Sequence, residues 1–209
     1  MKLLTLCALM LSGSLLVSGC ASQGDAVPIN LALKPPSDFV VGAPVSNVTV
    51  IVTPFADDRS DRTKLGVHQS VWGASQPVTL KNGSVGEVTA IALAEYLTRK
   101  GWRATYASSA TGLSGGDVVI SGKVLESAVD AHGTVGSTDI AAKQKIVVHA
   151  KNQADGSSIT NTVSHQGTYS VIWFDGEDAE EILREVMEKN FDKFISQTSF
   201  EGSALRFKQ

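Results

Sequence analysis

Residues 140–151, IAAKQKIVVHAK, and residues 158–174, SITNTVSHQGTYSVIWF, decide how this chain folds. In the first run Ile140, Ala142, Ile146 and Val148 fall on one side, and Lys143, Lys145, His149 and Lys151 on the other. Alternation of this kind puts one face in a core and the other in water, the mark of a half-buried strand. Asp155-Gly156 between the two runs is a turn pair, because glycine readily supplies the positive φ of a tight connection. The two runs therefore pair as an antiparallel hairpin.

Working outward, the next stretch, Asp178 to Gln197, changes period. Ala179, Ile182, Leu183, Val186, Met187, Phe191, Phe194 and Ile195 recur every three or four residues, which lines one side of a helix. Asp178, Glu180 and Glu181 sit at its start, where the helix dipole favours negative charge. Upstream, Asp117 to Val129 reads as a strand with Val118, Ile120 and Val124 facing one way, and Ala131 to Ser137 as the turn after it. Trp102 to Ala107 is a short strand. Ser84 to Lys100 is a second helix: Ser84 and Glu87 have capping-box spacing, and Gly101 stands where a left-handed residue closes the last turn. Gly86 is a weak point in its first turn. Asn47 to Phe55 opens the folded part as a β-branched strand, with shorter strand candidates at Leu65–Trp72 and Val78–Leu80.

Connections are short, and strands and helices do not alternate regularly. The expectation is an α+β fold: a two-layer sandwich in which a mainly antiparallel sheet carries two helices on one face.

The amino terminus has a different character. Met1-Lys2 precedes 15 apolar or small residues, Leu3 to Val17, a run too short to span a bilayer but suited to a signal peptide. Leu16-Val17-Ser18-Gly19-Cys20 has the form of a bacterial lipobox, which makes Cys20 the acceptor of a lipid. Several acyl chains make a durable anchor where one holds only marginally. By resemblance to Gram-negative lipoproteins, Ala21 after the cysteine implies sorting to the outer membrane, facing the periplasm. Pro28, Pro35, Pro36 and Pro44 mark residues 20–45 as a tether, with an edge strand at the alternating Ile29, Leu31 and Leu33. The chain thus divides into a signal peptide (1–19), a lipidated tether (20–45), one α+β domain (46–198) and a loose tail (199–209).

Composition narrows the function. Charged residues form 19% of the chain and apolar ones 43%, enough for an ordinary core. The 18 basic and 21 acidic residues give a net charge of −3, and loss of Lys2 with the signal makes this −4. A nucleic-acid partner, which needs a basic face, is not expected. Cys7 leaves with the signal and Cys20 takes lipid, so the mature domain holds no disulfide, thiol nucleophile or cysteine metal site.

With these elements in place, the layout resembles the YajG-type bacterial lipoproteins over roughly residues 45–199. The likeness rests on VTVIVTPFADDRSDRTKLG (48–66), on EVTAIALAEYLTRKGW (87–102) and on the alternating strands before the last helix. It implies an envelope location and a two-layer fold. It carries no active-site residue, because the family is largely uncharacterised.

Candidate chemistry is sparse. Gly112-Leu113-Ser114-Gly115-Gly116 matches the hydrolase nucleophile elbow, but that elbow needs a strand before the serine and a helix after it, and here a strand follows. His149 and His165 could face each other across the hairpin, although two imidazoles with no acidic partner make a poor metal site. Asp57, Asp58 and Asp61 lie among Arg59 and Arg62, which reads as a turn with local ion pairs rather than a cation loop. Lys143, Lys145 and Lys151 read as a solvated face. Trp173-Phe174 reads as core filling, and Trp72, near His68, equally as core or as a contact. The resulting expectation is a non-catalytic, outer-membrane-anchored binding or scaffolding module without metal or cofactor. Its candidate contacts with an envelope protein are Asp57, Asp58, Arg59, His68 and Trp72. The alternatives are an accessory that binds an apolar lipid in envelope transport, and a small envelope hydrolase.

Overall fold

The computed structural model describes residues 24–33, 44–109 and 115–208. The signal peptide, Cys20, Pro35-Pro36 and Ser114 lie outside these residues. In chain order the elements are β1 (Val27–Ile29), β2 (Thr49–Val52), β3 (Ala56–Asp57), β4 (Gly66–Gln69), β5 (Ser75–Leu80), α1 (Val85–Arg99) and β6 (Arg103–Tyr106). Then follow β7 (Val118–Thr134), β8 (Ser137–Asn152), β9 (Ser158–Val171), α2 (Gly176–Ser196), β10 (Thr198–Glu201) and β11 (Ala204–Phe207).

The spine is β7, 17 residues long. On one side β8 pairs with it antiparallel from end to end, and β9 pairs antiparallel with β8. On the other side β2, β3 and β4 succeed one another along it, all parallel: Val50 opposite Val118, Ala56 opposite Lys123, His68 opposite Ala131. The sheet is therefore mixed, and the expectation of a mainly antiparallel sheet holds for the β7–β8–β9 side and for the β4–β5 pair. The remaining pairings are parallel; α1 lies between β2 and β6 and brings the chain back to run in the same direction. Short strands interrupted by loops hide this from a reading of alternation.

β7 extends past Val129 where a turn was expected, and the reason is a bulge. The β7–β8 register shifts between Val124 and Glu126, which leaves Leu125 as the extra residue. Before it Val118, Ile120 and Val124 are buried; beyond it Ser127, Val129 and Ala131 are. The inward side switches from even to odd positions, so no single alternation runs through the strand. The actual turn is only Val135-Gly136, with Gly136 at φ +92°.

Both helices pack against the same face of the sheet. Ser84 caps α1, its hydroxyl accepting from the Glu87 N–H at 3.1 Å, and Gly101 takes φ +84° after the last turn. Gly86 is not a weak point. A Cβ there would stand 2.0 Å from the Phe55 carbonyl oxygen, so the residue's smallness lets α1 approach the β2–β3 connection. α2 starts two residues before the expected Asp178, because Asp175 is the cap and forms a reciprocal capping box with Asp178. Leu183, Met187, Phe191 and Phe194 of α2 are fully buried, as are Ile140 and Ile146 of β8. Each such side chain contributes about 1.5–3 kcal/mol by leaving water.

The edge strand expected around Ile29 is present: Ile29, Leu31 and Leu33 are buried, and β1 lies at one edge of the sheet, parallel to β5, so part of the proline-rich segment belongs to the domain rather than to a tether. The tail is not loose: β10 and β11 pair antiparallel, and Leu205 is fully buried. Asn152, fully buried itself, holds Leu205 like a strand partner. Its Oδ1 accepts the Leu205 N–H at 2.8 Å and its Nδ2 donates to the Leu205 carbonyl at 3.2 Å.

Candidate functional site

The structure separates the candidate contacts into two groups. Asp57 and Arg59 form a clamp at β3. Arg59 donates from Nε to Asp57 Oδ1 and from Nη2 to Oδ2, each at 2.9 Å, while its Nη1 donates to the Lys64 carbonyl at 2.9 Å. This bidentate geometry suits a planar guanidinium, whose side chain is only 6% exposed. Burial pushes the Asp57 carboxyl up, but the Arg59 hydrogen bonds and charge outweigh it and hold the pKa below the usual range. Asp58 meets Lys123 Nζ at 3.0 Å, and Asp61 accepts from the Thr63 N–H and hydroxyl at 2.9 and 2.7 Å. Asp57 makes the local ion pair that the sequence suggests and Asp58 reaches Arg62 only at 4.0 Å, whereas Asp58's nearer partner is the distant Lys123 and Asp61 bonds a neutral residue.

The second group lies at the far end of β7, whereas β3 pairs with its middle; β4 pairs seven residues beyond β3's last partner, roughly 23 Å along the strand. Three separate turns converge there. The β4–β5 turn is closed by the Ser70 N–H to the Ala74 carbonyl at 2.8 Å and carries Val71 and Trp72 outward. The β7–β8 turn presents Val135. The segment between β9 and α2 presents Ile172 and Trp173. Val71 is 45% exposed, Trp72 91%, Val135 96%, Ile172 74% and Trp173 87%. A groove of about 580 Å³ runs among these residues and His68. Trp173 thus faces solvent rather than filling the core as expected; its neighbour Phe174 turns inward and stacks against His68, ring centroids 4.2 Å apart. His68 Nδ1 lies 2.9 Å from Gln76 Oε1 and shares a hydrogen bond with it.

This apolar tip unites two of the expected contacts, His68 and Trp72, and adds Val71, Val135, Ile172 and Trp173. Val135 escaped the sequence reading because the bulge displaced the turn. Ile172-Trp173 escaped because an apolar run leading into a helix resembles core. The tip turns, residues 70–74, 133–137 and 172–174, contain no lysine or arginine.

The remaining candidates do not assemble a site. His149 lies opposite Thr160 and bonds its hydroxyl at 2.9 Å, whereas His165 lies opposite Gln144, so the two imidazoles do not face each other. Lys143 pairs with Glu126 at 2.6 Å on the open face of the sheet. The strand β7 follows the described end of the Gly112–Gly116 loop, where an elbow would require a helix. Among the described residues no helix is long and apolar enough to cross a membrane.

No family model and no curated protein matches the chain. Solved structures do. Protein XCC0632 from Xanthomonas campestris, of the DUF330 family, is similar at a TM-score of 0.51 and 10% identity, over 81% of this chain and 92% of that one. An uncharacterized protein aligns at a TM-score of 0.46 and 13% identity, over 83% and 98%. Lipoprotein GNA1162 from Neisseria meningitidis aligns at 0.30 and 12%, over 68% and 96%. The first of these likenesses shows a fold shared with a DUF330 protein.

Proposed function

We propose that this protein is a lipid-anchored envelope module of the YajG type that works by binding and performs no catalysis. In this reading Cys20 holds it on the periplasmic face of the outer membrane, and the apolar tip is its docking surface. One observation carries the proposal: five apolar side chains from three turns converge at one end of a rigid sheet and stay in water. A fold that buries Leu183, Phe191 and Phe194 completely has no stability reason to leave two tryptophans outside. Large exposed aromatics on well-held turns are the usual anchors of an interface. Transport of an apolar ligand between helices and sheet is less favoured, since Ile146, Leu183, Met187 and Phe191 pack together there.

Fractionation of cells tests the anchor and crosslinking tests the tip. Wild-type protein is expected in the outer membrane and the Cys20→Ser variant in the soluble periplasm. A photoreactive residue at position 173 is expected to crosslink to an envelope component, and one at exposed position 145 on the open sheet face is not. Equal crosslinking at both positions would remove the tip as the docking surface.

A further inference from the structure

The path of the chain into the fold identifies what the tip touches. Gly24 is the first described residue, and its N–H donates to the Ser75 carbonyl at 3.0 Å. Ser75 opens β5 directly after the Val71-Trp72 turn, so the chain enters the domain beside the tip. Gly24 also sits against Gln76, the residue that holds His68 behind Phe174. β1 then runs parallel to β5, away from the tip. Cys20 is four residues upstream of Gly24, and four residues span at most about 14 Å. A lipid on Cys20 therefore keeps the tip within a head-group layer's reach of the membrane, whichever way those four residues run.

We propose that Val71, Trp72, Val135, Ile172 and Trp173 insert into the leaflet that carries the Cys20 lipid. This rests on the anchored reading above and adds to it a second, rigid contact that fixes the domain's orientation. Tryptophan suits this place because its ring is apolar while its N–H remains able to bond at the wet boundary. The absence of lysine and arginine from the tip turns, and the acidic first turn of α2 with Glu177 and Asp178, leave apolar burial as the driving force. The contact thus gains nothing from anionic lipid. A contact made instead through Lys143, Lys145 and Lys151 on the open sheet face would weaken with salt.

Tryptophan fluorescence tests this, because the third tryptophan, Trp102, is buried against Phe194 and Phe200 and serves as an internal control. The native lipidated protein is reconstituted into vesicles of phosphatidylethanolamine and phosphatidylglycerol brominated near the top of the acyl chains. The expected result is co-flotation with the vesicles and quenched emission that does not rise with phosphatidylglycerol content. The quenching should disappear in the Trp72→Phe/Trp173→Phe variant, which still floats and melts like wild type. Protein that floats with unquenched tryptophans would overturn tip insertion and leave the anchor standing. Protein that does not float would remove the anchor and this proposal together. Emission already blue-shifted without vesicles, in a particle heavier than the monomer, would show a second copy covering the tip and would also overturn it.

Discussion

The Asp57-Arg59 clamp sits beside the middle of β7 and the Trp72-Trp173 tip at its far end, and both contain residues that a reading of the sequence singles out as surface contacts. Their chemistry separates them. The clamp's polar groups find partners within the chain, so charge that looks available is already spent on Asp57, Lys64 and Lys123. The tip's apolar groups have no such outlet: a turn long enough to reverse a strand is too short to fold its own tryptophan back. Exposed charge is therefore weak grounds for a binding site and exposed aromatic area is strong grounds.

Substitutions should split along the same line. The largest loss of stability is expected from Phe191→Ala, about 3–5 kcal/mol, which sets the scale for a fully buried side chain; an unchanged melting temperature would mean α2 does not cover the sheet. Asp57→Ala should come next at about 3 kcal/mol, because it strands a guanidinium that is almost wholly buried. A loss below half a kcal/mol, roughly the noise of a surface change, would make the clamp an ordinary surface pair. Gly86→Ala should cost about 1–3 kcal/mol through its collision with the Phe55 carbonyl, seen as a lowered denaturation midpoint with the same slope. Trp72→Ala and Trp173→Ala should each change stability by less than about 0.5 kcal/mol. Should either one unfold the protein, the tip would be structural and the contrast would collapse.

Acid sharpens the same comparison. The Asp57 carboxyl binds its proton less tightly when folded than when unfolded, so its contribution is present above the ordinary value of 3.8 and fades as the pH falls through the lower folded value. Asp155 behaves alike: bonds from the Ser157 hydroxyl and N–H, then Arg206, hold it at about 2, which ties the β8–β9 turn to β11. Unfolding curves taken between pH 5 and about pH 2 should therefore lose less stability in Asp57→Asn than in wild type. Trp72→Ala should follow wild type throughout. Parallel curves for Asp57→Asn and wild type would show that the carboxylate's charge does not matter.

Both helices, the 140–174 hairpin and the exposed lysine face were legible because each obeys a single period over many residues. The parallel half was not, since β2, β3 and β4 are two to four residues long and their partner is set by the α1 crossover. The tail was misread because its few apolar side chains, Phe200 and Leu205, find their partners far away in the chain, Phe200 against Trp102 and Leu205 in the core beside Asn152. Of the tip, His68 and Trp72 could be named in advance. Ile172 and Trp173 could not, because an apolar residue near a helix start looks the same whether it points into the core or out of it.

The extra residue at Leu125 gives the sheet something like a reading frame. Two amphipathic half-strands of opposite phase are spliced there, and the extra residue absorbs the change of phase. Removing Leu125 itself would leave Val124 and Ser127 two positions apart with the same side chains inward, whereas a single deletion elsewhere along β7 would put one half of the strand out of phase with the other and turn its buried side chains to water. Length changes compatible with this molecule are thus confined to its turns and to that bulge, or come along β7 in pairs.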